Sequence, residues 1–89
     1  MKRIEIVIIG QVQGVFFRHG AKQKAEELGL IGWARNESDD SVRIVAEGPE
    51  EQLQKLIEWC KKGTEWARVD KVNVEWEEAT GESDAFKIL

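Results

Sequence analysis

Apolar residues change their spacing along this chain from that of a strand to that of a helix and back, in the same order in each half. Ile4, Ile6 and Ile8 alternate with Glu5, Val7 and Ile9, a period of two. Both sets are fairly apolar, so this strand is expected at the centre of its sheet. From Phe17 the spacing becomes Phe17, Ala21, Ala25 and Leu28, a one-sided helical stripe with Gly29 as its left-handed stop. Leu30 to Arg35 reads as a strand, Asn36 to Ser41 as a polar turn, and Val42, Ile44 and Ala46 as the returning strand of a hairpin. Pro49, Glu50 and Glu51 suit the start of a second helix, whose stripe is Leu53, Leu56, Ile57 and Cys60. Lys61, Lys62 and Gly63 close it with the favoured charge and stop residue. Val72, Val74 and Trp76 alternate with polar neighbours, and after a break at Gly81 the run Phe86, Lys87, Ile88 reads as a short edge strand.

The order βαββαβ, joined by right-handed crossovers, predicts an α+β ferredoxin-like two-layer sandwich. An antiparallel four-stranded sheet would carry both helices on one face, with a short extra C-terminal strand. Eighty-nine residues suffice for one modest core, so residues 1–89 are expected to form a single domain. No apolar run approaches the roughly 20 residues of a membrane helix, and the stretch Ile4 to Ile9 is too short for a signal peptide. The only cysteine is Cys60, which forbids an intramolecular disulfide. A cytoplasmic monomer without membrane partners is the expectation.

This architecture hosts many functions, so function has to come from particular residues. The segment GQVQGVFFRHG, Gly10 to Gly20, lies between the first strand and the first helix. Gly10 and Gly14 free the backbone to turn its N–H groups inward, and a nest of such groups beside a helix N-terminus suits a phosphate or carboxylate. Arg18 adds a forked, permanently charged donor set. From Gly10 to Lys24 the ionised residues are Arg18, Lys22 and Lys24, with no acid, whereas the remainder holds ten basic residues against seventeen acidic. A small anion is drawn to this region, while the net charge of −4 argues against general nucleic-acid binding. The plainer reading is a tight turn with a surface arginine. No Gly-Lys-Ser/Thr follows, so the loop is not a Walker A motif.

The stretch Ile8-Ile9-Gly10-Gln11-Val12-Gln13-Gly14-Val15-Phe16-Phe17-Arg18 resembles the signature of the acylphosphatases. A second stretch, Gly32-Trp33-Ala34-Arg35-Asn36 followed by Val42 and Gly48, resembles that family at similar spacing, and the likeness spans nearly the whole chain. One position departs, because Asp40 stands in the hairpin turn where the family usually has glycine. The resemblance implies hydrolysis of the mixed anhydride of small acyl phosphates, with no metal and no organic cofactor. By motif position, Arg18 is the phosphate-binding arginine and Asn36 the asparagine that orients the attacking water. Gln13, Gly14, Val15, Phe16 and Phe17, together with Arg18, are the phosphate-cradling loop. A non-catalytic anion-binding regulatory domain, a domain of a larger maturation enzyme and a ferredoxin-like RNA-binding module are the alternatives. A free-standing enzyme is the simplest of these.

Other residues take a structural reading. His19 follows Arg18, but an adjacent helical position points about 100° away, and the reaction needs no base there. Cys60 lies on an apolar stripe and reads as packing, Phe17 starts the buried stripe of its helix, and Phe16 is scaffold with no assigned contact. Trp33, Trp59, Trp66 and Trp76 read as core or rim. The sequon Asn36-Glu37-Ser38 is accidental in a chain without an export signal.

Overall fold

The computed structural model describes Met1–Leu89. Its elements are β1 (Lys2–Gln11), α1 (Phe17–Glu27), β2 (Ile31–Asn36), β3 (Val42–Gly48), α2 (Glu50–Lys62), β4 (Arg68–Glu78) and β5 (Phe86–Ile88). Every expected element forms; β2 begins one residue later than expected, at Ile31, while most other strand ends extend one to three residues further, where main-chain pairing continues past the apolar alternation. No helix is long and apolar enough to cross a membrane.

The strands lie in the order β4-β1-β3-β2-β5. As expected, β1 is internal, flanked by antiparallel neighbours with Ile4 opposite both Ala46 and Trp76. The sheet is nevertheless mixed and five-stranded, because β5 runs parallel to β2, with Gly32 opposite Phe86. The cause is the connection after Glu78. It leaves β4 at the end of the sheet where β2 begins, crosses that end to the far edge, and starts β5 in the direction of β2.

One face of the sheet presents Ile4, Ile6, Ile8, Val42, Ile44 and Ala46, all fully buried against Phe17, Ala21 and Ala25 of α1 and Leu53, Leu56, Ile57 and Cys60 of α2. Both helices therefore cover one face. Each large aliphatic side chain so buried contributes about 1.5–3 kcal/mol, which is what fixes α1 and its N-terminus against the sheet. Cys60 is a packing residue, and burial pushes its thiol up.

Gly10 departs from its expected role. It sits inside β1 at a register shift opposite β4, and a Cβ there would lie 2.1 Å from the Arg68 carbonyl oxygen. Its φ of 145° and missing side chain admit the neighbouring strand rather than an anion.

The strap from β4 to β5 is pinned halfway by Glu47, which is 4% exposed. Its carboxylate accepts from the Thr80 main-chain N–H at 2.8 Å, the Thr80 hydroxyl at 2.9 Å, the Gly81 N–H at 3.0 Å and the Arg3 guanidinium at 3.3 Å. Burial alone would raise its pKa, but these donors outweigh burial and hold it at about 2, below an ordinary value of 4.5. A folded-state pKa below the unfolded one adds stability that is complete above pH 4.5 and is lost as pH falls towards 2. At 1.36 kcal/mol per pKa unit the contribution is on the order of 3 kcal/mol. Glu47→Gln is expected to lower the melting temperature at pH 7 by roughly 12–24 °C, and to flatten the acid dependence of stability between pH 4.5 and 2. Thermal unfolding followed across that range checks both; an unchanged acid profile would remove Glu47 as its source.

Candidate active site

The connection from β1 to α1 leaves a run of donors without protein partners. The main-chain N–H groups of Gln13, Gly14, Val15 and Phe16 donate to no protein acceptor, and the first helical bond runs from Gly20 N–H to the Phe16 carbonyl at 3.0 Å. The amides of Phe17, Arg18 and His19 therefore precede any intrahelical acceptor. Most helices cap this end with a side chain. Here the capping position is Phe16, whose side chain cannot accept, and no acid stands in the first turn. Gly14 turns the loop at φ 75°, with open space where a side chain would point. Phe16 follows at φ 62° and ψ 24°, a left-handed conformation that costs a bulky residue about 1–2 kcal/mol. Strain of this kind is retained where the backbone must face a particular way. The result is an uncapped helix N-terminus inside a nest of amides, suited to an anion.

A pocket of about 230 Å³ opens there, lined by Val12, Gly14, Phe16, Phe17, Arg18, His19 and Asn36. It brings together Arg18 and Asn36, which stand 18 positions apart in sequence, and no carboxylate lines it. Asn36 is not in the turn, as its polarity suggested, but is the last residue of β2, paired with Val42. That register directs it into the pocket, where its Oδ1 is buried without a hydrogen-bond partner. It is the one such side-chain atom in the molecule. An unsatisfied buried acceptor costs about 1–3 kcal/mol, and this one is free to accept from any donor that enters the pocket. His19 lines the pocket, contrary to the helical-direction argument. It occupies a position whose amide is still free, and its imidazole makes no hydrogen bond.

Two of the loop residues do not line this pocket. Gln13 and Val15 border a separate depression with Asp40. The Gln13 amide donates instead to the Glu37 carbonyl at 2.8 Å and the Ser41 carbonyl at 2.9 Å. It thereby ties the anion loop to the hairpin that carries Asn36. In that hairpin Asp40 adopts φ 74°, the conformation for which glycine is the usual choice. The turn closes regardless: the Asp40 N–H donates to the Glu37 carbonyl at 3.2 Å, and the Ser41 N–H and hydroxyl donate to Asp39 at 3.1 and 2.5 Å.

Three further supports carry no motif. The Arg18 guanidinium donates to the Leu89 carbonyl at 3.1 Å, so the residue just after β5 orients it from the sheet edge. Lys22, one turn along α1, donates to the Phe86 carbonyl at 2.9 Å and fixes the same strand. The Thr64 hydroxyl donates to the Val15 carbonyl at 2.7 Å, bracing the loop from the connection after α2.

Fold and site together define a small α+β domain with a carboxylate-free pocket of about 230 Å³ at an uncapped helix N-terminus. The sequence model of the acylphosphatases matches residues 4–88. An acylphosphatase of Pyrobaculum islandicum is 49% identical over 98% of this chain and 93% of its own length. Among solved structures, an acylphosphatase from Bacillus subtilis is similar with a TM-score of 0.96 at 35% identity, covering 100% of this chain and 99% of that one. Another, from Coxiella burnetii, has a TM-score of 0.91 at 39% identity, covering 98% and 90%. The chain belongs to the acylphosphatase family.

Proposed function

We propose that this domain hydrolyses small acyl phosphates to a carboxylate and inorganic phosphate, with Arg18 and the loop amides holding the phosphoryl group and Asn36 aiming water at it. The observation that carries this reading is the unpartnered, buried Asn36 Oδ1 in the pocket that also receives Arg18. Phosphoryl transfer to water passes through a loose transition state whose equatorial oxygens bear most of the charge, so positioning and fixed donors do most of the catalysis. The guanidinium and the free amides supply those donors without reorganisation.

Asn36 cannot take up a proton at neutral pH, but its oxygen accepts a hydrogen bond from water and its NH₂ donates to a neighbouring oxygen. Water oxygen forms the new P–O bond, the bond to the acyl oxygen breaks with its electron pair, and the water proton passes to the phosphate. The departing carboxylate has a pKa of about 4 and needs no general acid. Divalent cations such as Mg²⁺ and Ca²⁺ favour oxygen ligands, and the lining residues include no carboxylate. The reading therefore routes no step through a metal, and it takes from the family resemblance that no organic cofactor takes part. It also takes residues 1–89 as one monomeric domain acting in the cytoplasm.

The RNA-binding alternative is not favoured. Such modules stack bases on the open sheet face, whereas the β1 and β4 strands here set Glu5 opposite Glu75 and Arg3 opposite Glu77. Purified protein is expected to release phosphate from acetyl phosphate well above the spontaneous rate, unchanged by excess chelator. A rate equal to the spontaneous one overturns the enzymatic reading; a rate lost on chelation overturns the metal-free mechanism alone.

A further inference from the structure

The roles proposed for Arg18, the loop amides and Asn36 all address the phosphoryl group, yet the pocket's mouth is not neutral ground. At about 230 Å³ the pocket is smaller than the roughly 300–1,000 Å³ that encloses a drug-sized ligand. Whatever is attached to a bound phosphoryl group extends over the rim. Phe16 forms part of that rim and leaves 64% of its surface open to solvent. Its left-handed backbone at φ 62° holds the ring there although no core contact requires it. The ring is backed by Trp66, itself 61% exposed, edge-on with centroids 5.6 Å apart. The other aromatic pair, Phe17 with Trp59, lies against the core, so Phe16 and Trp66 are the one aromatic pair that faces solvent. An exposed apolar surface beside an anion pocket fits a ligand that is anionic at one end and apolar at the other.

We propose that Phe16, backed by Trp66, is the platform for the acyl group, and that it makes the enzyme select aromatic and longer aliphatic acyl phosphates over acetyl phosphate. The assignment rests on the acyl phosphatase reading above. A benzoyl ring stacks offset or edge-on against Phe16 while its phosphate occupies the amide nest, geometries that aromatic pairs prefer. Trp66 keeps the Phe16 ring from turning away and enlarges the apolar surface.

The experiment compares kcat/KM for benzoyl phosphate and acetyl phosphate in the wild type, Trp66→Ala and Phe16→Asn. Asparagine tolerates the left-handed backbone and keeps the loop amide. The wild type is expected to prefer benzoyl phosphate. Phe16→Asn should lower the benzoyl-to-acetyl ratio by roughly five- to tenfold and Trp66→Ala by roughly two- to threefold, the range of one aromatic contact. A ratio unchanged in both variants overturns the platform. Wild-type protein that hydrolyses neither compound overturns the underlying activity as well, whereas hydrolysis of both without preference overturns the platform alone. Sedimentation at the assay concentration gives a third readout: a dimer that Trp66→Ala dissolves would assign the aromatic face to a second copy of the chain and overturn the proposal.

Discussion

Replacing Arg18 with glutamine is expected to lower kcat/KM for acetyl phosphate by about a thousandfold and to abolish competitive inhibition by inorganic phosphate. Charge-assisted hydrogen bonds contribute about 1.5–3 kcal/mol each. The guanidinium fork makes two to one phosphoryl group, and each 1.36 kcal/mol is about a factor of ten in rate. Glutamine keeps one neutral donor and loses the charge, so both the ground-state anion and the more highly charged transition state lose their partner. Arg18 also ties α1 to Leu89. That contact is exposed to solvent, so its loss costs about 1.5–3 kcal/mol at most, below the roughly 5–15 kcal/mol that holds a domain folded. Steady-state kinetics with phosphate as inhibitor, beside a thermal melt, separate the two effects. Retained phosphate inhibition would show that the loop amides suffice and that Arg18 is not the anion's partner.

The second large effect has the opposite profile. Asn36→Ala is expected to reduce kcat by roughly a hundred- to a thousandfold, the cost of losing one preorganised group that acts on a reacting centre. The inhibition constant for phosphate should stay within about twofold, since Arg18 and the amides remain. Stability should hold or rise, because the substitution deletes the buried acceptor that nothing in the protein satisfies. A catalytic defect joined to an unimpaired or higher melting temperature marks a group kept for chemistry rather than for folding. Full activity in Asn36→Ala would end its assignment as the water-orienting residue.

The two residues were legible in the sequence to different degrees. Arg18 follows a glycine turn at the start of an apolar helical stripe, so its place at an anion-attracting helix N-terminus emerges from spacing and charge. Asn36 emerges from family likeness alone. A polar residue between an alternating run and Glu37-Ser38-Asp39-Asp40 reads locally as turn, and only its pairing with Val42 makes it the inward-facing end of β2. The supports of the site left no local trace. Thr64 acts on Val15 from 49 positions away and Arg18 meets Leu89 across 71, in both cases through a main-chain carbonyl that any residue type supplies. Family likeness put Gln13 in the phosphate-cradling loop but said nothing of its side chain, which ties the loop to the hairpin because two carbonyls lie within its reach. The direction of β5 was equally hidden. An alternating pattern identifies a strand, but the crossing of the strap decides which way it runs.

The placement of β1 between β3 and β4 also sets the order in which the molecule can come into being. Lys2 meets Glu78, 76 residues later, so this internal strand waits for a segment far downstream before its second edge is paired. Closing so large a loop costs chain entropy before any contact compensates, which puts the domain among the slower folders for its size rather than with helical bundles. The anion loop inherits that delay. Its braces come from Thr64 and, through Arg18, from Leu89, so a nascent chain that has completed α1, β2 and β3 already holds both Arg18 and Asn36 but not yet the frame that aims them.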